Sequence, residues 1–359
     1  MKNENTLNQR NFNTTIASST QSIYELEHID IELTRQCNLK CIHCSIGSNS
    51  IGQELSIRKI KKILNEAQTL GLKKVGFTGG EPLLQERKFR ELQNFCKKKL
   101  GVTTHLHTNG TKISPEIAEE IKRSEIDVSI TFHGFNKKTH DSITQVNGSM
   151  KLSLKGLRIL LSSGVNVFVY IVPIKYNFNE VIPLIKMTKE KGCEQVRILS
   201  LSPTGKALEN FDKLALNEEE EIWLNKELVK ARQENDIELY GGFCTRHSFP
   251  ELKMLPGHNS CSAAENRIHI DAFGNVFPCT ASSGRLIFSA GNLRVPSYTL
   301  TEIWHHSPFF QFIRGFHLNP PDKCKACTQH QNCMSGCRVM MSYKYGDVTI
   351  ADPKCKGPF

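Results

Sequence analysis

From Asp30 onward the chain alternates short β-rich runs with stretches whose apolar positions recur at helical spacing. The runs at 29–33, 73–77, 103–107, 127–131, 165–172 and 195–199 predict strands, and 56–70, 85–99, 114–124, 151–163 and 181–191 predict amphipathic helices between them. Six β/α repeats of about 30 residues predict a parallel sheet with crossover helices, because parallel neighbours cannot be joined by a tight turn. Such a sheet is either open and doubly wound or rolled into a barrel, and the strand count favours an α/β fold built as a partial (β/α)6 barrel. An acidic stretch at 217–235 predicts a connecting helix, and after Ile237 the β/α rhythm gives way to cysteines, glycines and prolines. These changes predict a tail or short capping segment at 1–27, the barrel at 28–235 and a cysteine-rich domain at 236–359.

With 359 residues the chain is too long for one small core, which agrees with a large domain and a satellite. Apolar residues at 39% and charged residues at 23% are ordinary for a globular protein. No run of about 18 apolar residues exists, and the first 22 residues are rich in Asn, Thr and Ser without an apolar centre. Neither a membrane span nor a secretory signal is expected, and the cytoplasm is the expected compartment. Thiols are kept reduced there, so 13 clustered cysteines point to metal rather than to disulfides.

The first cluster is Cys37-Asn-Leu-Lys-Cys41-Ile-His-Cys44, at the end of the first predicted strand. Three thiolates on one loop can hold three irons of a cubane and leave the fourth open, although a zinc loop short of one ligand has the same appearance. After the second predicted strand comes Phe77-Thr78-Gly79-Gly80-Glu81-Pro82, at the edge where parallel folds place ligands. Glycines admit a closely approaching ligand, and a carboxylate accepts from an ammonium; a plain Gly-Gly turn is the alternative.

In order and spacing these two motifs resemble the C-x3-C-x2-C loop and GGEP motif of the radical S-adenosylmethionine (SAM) superfamily. The resemblance implies that Cys37, Cys41 and Cys44 hold a [4Fe–4S] cluster with SAM chelating its open iron, and that Gly79, Gly80 and Glu81 hold the methionine amine. It also implies one-electron cleavage of SAM to methionine and a 5′-deoxyadenosyl radical that abstracts a substrate hydrogen atom. Relatives often carry an aromatic residue before the third cysteine, beside adenine; here His43 supplies a flat imidazole. Asn109, in Thr108-Asn109-Gly110, and Thr131, ahead of His133-Gly134, map to further SAM contacts, Thr131 to the ribose or carboxylate. His133 stands where relatives often carry Asp.

The second set is Cys261, Gly274 and Cys279 at C-x12-G-x4-C, then Cys324, Cys327, Cys333 and Cys337 at C-x2-C-x5-C-x3-C, then Cys355. Paired C-x2-C loops also build zinc ribbons, but seven cysteines do not divide into two four-ligand zinc sites. The whole order resembles the SPASM domain of radical SAM enzymes, so the resemblance runs over about 28–359. By position it implies a distal auxiliary cluster on Cys324, Cys327, Cys333 and Cys355, and a proximal one on Cys261, Cys279 and Cys337, both expected to be [4Fe–4S]. Cys244 is the candidate fourth proximal ligand, an open iron being the alternative. Cys96 and Cys193 fall in or beside helices and are expected to pack. The formal charge of +10 would fall by roughly 4–5 units once three clusters bind thiolates, so no nucleic-acid partner is expected.

Relatives with this organisation modify peptides or proteins, and the segment from Ser202 to Asn210 is similar to peptide-maturing members. Tetrapyrrole side-chain modification is the second reading. Sulfatase-type formylglycine formation ranks lower because Thr280, not Asp, follows Cys279, and a non-enzymatic iron–sulfur protein leaves the GGEP motif unexplained. The expected partners are a peptide or protein substrate and an external electron donor of flavodoxin or ferredoxin type. Twenty-seven residues ahead of the barrel cannot bury a leader-recognition domain, so recognition would come from a separate leader-peptide-binding protein, the barrel mouth or the tail.

Overall fold

The computed structural model describes residues 24–234, 237–241, 261–328, 330–333, 335–353 and 355. Cys244 therefore lies outside the described residues. The strands are β1 (His28–Thr34), β2 (Lys74–Gly79), β3 (Thr103–Thr108), β4 (Asp127–Phe132), β5 (Val167–Ile171), β6 (Gln195–Ile198), β7 (Glu238–Gly241), β8 (Arg267–Ile270), β9 (Asn275–Phe277) and β10 (Gly291–Asn292). They form one sheet in the order β10-β9-β8-β1-β2-β3-β4-β5-β6-β7. Every pairing from β8 through β1 to β7 is parallel, and only β9 is reversed, running antiparallel to both β8 and β10. Among the described residues β7 and β10 are the edges and do not pair with each other, so the barrel is partial.

The crossovers are α1 (Ile57–Thr69), α2 (Glu86–Phe95), α3 (Pro115–Arg123), α4 (Lys137–Thr144), α5 (Ser149–Ser162), α6 (Val181–Glu190), α7 (Gly205–Leu214) and α8 (Glu218–Glu234). Local chemistry starts several of them. Ser56 and Ser114 accept from the amides of Lys59 and Ile117 at the first turns of α1 and α3, and Pro115 fits the first helical position. In α1 the residues Ile60, Ile63, Leu64 and Ala67 form the buried stripe against the sheet.

All six predicted strands and five predicted crossover helices are present within a few residues. The expected helix at 85–99 is composite: α2 passes into a π-turn at Cys96–Leu100 that ends on Gly101 in the left-handed region. Up to residue 241 three of these strands and helices went unexpected. α4 lies in a segment with little apolar periodicity, α7 is short but buries Ala207, Phe211 and Leu214 along one face, and β7 falls beyond residue 236 yet pairs with β6, so the loss of β/α rhythm there is not the end of the sheet.

In β1 both faces are buried. Ile29, Ile31 and Leu33 belong to the main core, while the alternate positions Asp30, Glu32 and Thr34 meet polar partners from other strands and loops. A polar lumen inside an apolar shell results.

The last third packs onto the β8 side. α9 (Leu300–His306) begins with a reciprocal cap between Thr299 and Glu302, and α10 (Pro308–Leu318) buries Arg314 between Trp304 and Tyr24. Short helices α11 (Asp322–Lys325) and α12 (His330–Cys333) carry cysteines, and α13 (Arg338–Tyr345) follows Cys337.

Candidate active site

The loop after β1 carries Cys37, Cys41 and Cys44 and is held from several sides. Glu54 accepts from Thr34 Oγ1 at 2.7 Å and from the Arg35 amide at 2.8 Å, and Asn49 Oδ1 accepts from the Cys37 amide at 2.9 Å. The amides of Lys40 and Ile42 donate to the carbonyls of Thr144 and Ile143 at the end of α4. The carbonyl of Cys44 accepts from the Ala207 amide at the start of α7.

Gly79 and Gly80 bring the β2 end against this loop. A Cβ on Gly80 would stand 2.0 Å from the Gln36 carbonyl oxygen, and one on Gly79, at φ +130°, 2.3 Å from that of Thr34. The Gly80 and Glu81 amides donate to those same carbonyls at 2.8 Å. The glycine pair therefore seats the cysteine loop. Glu81 is fully buried, and its carboxylate accepts from Leu83 N at 3.1 Å, Thr108 Oγ1 at 2.8 Å and Asn109 N at 2.8 Å. Burial pushes the Glu81 carboxyl above its ordinary value, and these donors oppose that. Asn109 Nδ2 donates to Asn38 Oδ1 at 3.0 Å and lies 4.0 Å from Cys37 Sγ. The three motif loops are thus one hydrogen-bonded unit at the C-terminal edge of the sheet.

None of the three thiols is in a disulfide. Burial pushes Cys37 up to about 11 and Cys41 further, and each is raised again by neighbouring cysteines. Of the described residues Lys206 is the one cation among the main influences on Cys41, so a thiolate there calls for an added positive centre. Three soft donors of this kind suit an iron–sulfur cluster. Among the described residues no three His, Cys, Asp or Glu groups are arranged around a single metal ion.

His43 is buried beside His133, whose Nε2 lies 4.0 Å from Cys41 Sγ, and His140 stands behind them. Burial lowers all three imidazoles, His43 and His140 to about 4. Thr131 sits on β4 and is half-buried.

Below the motif loops the lumen holds a polar network that no local motif foretold. Asp30 accepts from Arg267 Nη2 at 2.6 Å and Thr280 Oγ1 at 3.0 Å, with His28 Nε2 at 3.1 Å and His107 Nε2 at 3.6 Å. His107 Nδ1 meets Ser129 Oγ at 2.7 Å. Thr280, which follows Cys279, thus touches a carboxylate carried by β1. Glu32 pairs with Arg35 and His269 and accepts from Ser283 Oγ at 3.0 Å. A strap from Thr280 to Gly284 thereby runs along the lumen side of β1 to Ser45 and Gly205.

Of the remaining cysteines, Cys324, Cys327 and Cys355 all act electrostatically on Cys333, which burial pushes up to about 11. Cys261 and Cys279 both act on Arg267, and Cys337 and Cys261 lead the thiols acting on Arg338. Cys96 and Cys193 are buried among apolar neighbours, away from these groups.

The radical SAM superfamily model matches residues 31–188, and that of the SPASM iron–sulfur cluster-binding domain matches 261–328. The AdoMet-dependent heme synthase of Methanosarcina barkeri is 27% identical over 348 residues, covering 90% of this chain and 94% of the relative. The mycofactocin maturase MftC of Mycolicibacterium smegmatis is 27% identical over 328 residues, covering 90% and 81%. Among solved structures, Streptococcus suis SuiB bound to precursor peptide SuiA superposes with a TM-score of 0.75 at 19% identity, covering 93% of this chain and 76% of SuiB.

Proposed function

Because the chain belongs to the radical SAM superfamily and carries a SPASM domain, we propose that it modifies a peptide substrate in the barrel lumen beneath the three-cysteine loop. The observation that carries this is the single unit formed by the cysteine loop, Gly79-Gly80-Glu81 and Asn109 over a polar lumen. Bound at Cys37, Cys41 and Cys44, a [4Fe–4S] cluster with SAM supplies one-electron cleavage to methionine and a hydrogen-abstracting 5′-deoxyadenosyl radical. Gly79, Gly80, Glu81, Asn109, Thr131 and His43 are the residues assigned to hold SAM. Cys324, Cys327, Cys333 and Cys355, and separately Cys261, Cys279 and Cys337, are assigned to two auxiliary clusters. Cys244 is assigned as the fourth ligand of the second.

Peptide modification is favoured by the similarity to a maturase and to a structure that holds a precursor peptide. In the lumen, His107 hydrogen-bonded to Ser129 and backed by Asp30 offers a place for a substrate proton. An external flavodoxin or ferredoxin would deliver the electron, a separate protein could present a leader peptide, and the reduced thiols suit the cytoplasm. No helix of the described residues is long and apolar enough to cross a membrane. The similarity to a heme synthase keeps tetrapyrrole modification as the second reading.

Anaerobically reconstituted protein should cleave SAM to 5′-deoxyadenosine with dithionite. The joint replacement of Cys37, Cys41 and Cys44 by Ala should abolish this while keeping about two-thirds of the iron. A short peptide encoded beside the gene should change mass in the parent only. A mass change in a carboxylate-bearing tetrapyrrole, with the peptide untouched, would overturn the peptide reading.

A further inference from the structure

The histidines behind the cysteine loop are built around one sulfur. His43 on the loop, His133 at the end of β4 and His140 on α4 are 8%, 5% and 1% exposed. Ring centroids are 4.8 Å apart for His43 and His133 and 5.2 Å for His133 and His140, each pair edge to face. The His133 backbone N–H donates to His140 Nδ1 at 3.3 Å, which fixes the His140 ring against the His133 backbone.

The His133 imidazole has two places for its proton. Nδ1 is buried with no hydrogen-bonding partner among the described residues, whereas Nε2 faces Cys41 Sγ at 4.0 Å. A proton on Nδ1 would leave a buried donor unsatisfied and set a bare nitrogen against sulfur. A proton on Nε2 gives the donor its acceptor and leaves only a lone pair unpaired, the cheaper arrangement. A cysteine that ligates iron carries no proton, so its sulfur can only accept.

We propose that His133 is a positioning residue for the SAM-cleaving cluster, donating its Nε2–H to the Cys41 sulfur and raising the cluster's reduction potential. This rests on the assignment of that cluster to Cys37, Cys41 and Cys44. A donor to a ligating sulfur stabilises the more negative, reduced cluster more than the oxidised one, and hydrogen bonds to sulfur are among the settings that fix such potentials. His43 and His140 hold the ring from either side, so the donor is fixed before the cluster is built.

The test uses reconstituted holoprotein, following the electron paramagnetic signal that changes when SAM is added. His133→Phe should keep its iron and shift the reduction equilibrium of that cluster about tenfold toward the oxidised form, 59 mV for one electron. His133→Gln, which keeps an N–H donor, should recover more than half of the shift. The parent labelled with 15N-histidine should show nitrogen coupling to the reduced cluster, lost in His133→Phe. An unchanged potential in His133→Phe, or an equal shift in His133→Gln, overturns the proposal. Should neither variant bind iron, absence of the nitrogen coupling in the parent overturns it instead. Failure of the underlying assignment would look different: the SAM-responsive signal would survive Cys41→Ala.

Discussion

Glu81 carries more of the site's geometry than a ligand contact would require. Its two oxygens serve three donors from two segments, so the carboxylate joins the β2 loop to the β3 end while fully buried. Glu81→Gln keeps the shape but turns one oxygen into a donor facing another N–H, a loss of about 1–3 kcal/mol. A fall of several degrees in Tm is expected, since roughly 1 kcal/mol is worth about 2–4 °C in a chain of this order of size. SAM affinity should fall with it, because Asn109 and the Gly80 backbone lose their anchor. Calorimetry and equilibrium dialysis on the same sample decide: weaker SAM binding at an unchanged Tm would mean that the carboxylate acts through SAM alone and does not join the two loops. At this scale the cysteines and the Gly79-Gly80-Glu81 run were legible because their spacing is local. Asn38, Glu54 and His140 were not, since each acts through a partner that only the fold brings near.

Elements with a repeating apolar face could be read from the chain, and those whose support is tertiary could not. In α4 the sequence Lys-Lys-Thr-His-Asp-Ser-Ile-Thr has little periodicity, and its first turn is held by Asn136 and by Glu180, some 40 residues away. α7 begins inside the Ser202 to Asn210 segment of peptide-maturase likeness, and its visible role is to brace the cysteine loop. Gly205 has φ +55°, and a Cβ there would meet Gly47 N and Ser45 O at 2.5 Å and Cys44 O at 2.7 Å, all backbone atoms with no side chain to swing aside. Gly205→Ala should therefore cost the left-handed penalty of about 1–2 kcal/mol and an overpacking cost of about 1–3 kcal/mol, and displace the loop. Gly148→Ala shares the first cost, at φ +82°, but meets nothing within 4 Å. Iron bound per chain should drop by up to about one third in Gly205→Ala and stay at the parental level in Gly148→Ala. Equal iron in both variants would show that the loop tolerates the intrusion.

For the whole molecule, the decisive joint is the one between the first strand and the last third. β8 adds to β1 with register partners such as His28 and Arg267 far apart in sequence, and Arg267 crosses into the lumen to meet Asp30, 237 positions away. Alternating polar residues in β1 read equally well as a solvated face; that both faces are covered depends on which strands and which strap arrive, which no local pattern encodes. The joint has a pH signature. Burial pushes the Asp30 carboxyl up, but His28, Arg267 and His107 outweigh it and hold the group well below 3.8. A depressed folded value means that the pair's contribution is fully present above about pH 4 and is lost as pH falls through the lower folded value. Arg267→Met removes the strongest fixed positive charge and leaves the carboxylate buried, a loss of about 3–5 kcal/mol at neutral pH. The sign of that carboxyl's contribution to the pH dependence should then reverse, because an unpaired buried carboxyl is raised and gains stability on protonation. Between pH 7 and pH 4 both proteins lose stability as the buried neutral imidazoles are asked to charge, and the deficit of Arg267→Met relative to the parent in denaturant midpoint should narrow toward acid. A midpoint that falls toward acid equally in both proteins would mean that His28 and His107 alone hold Asp30 ionised, and that Arg267 is not what ties the last third to the lumen.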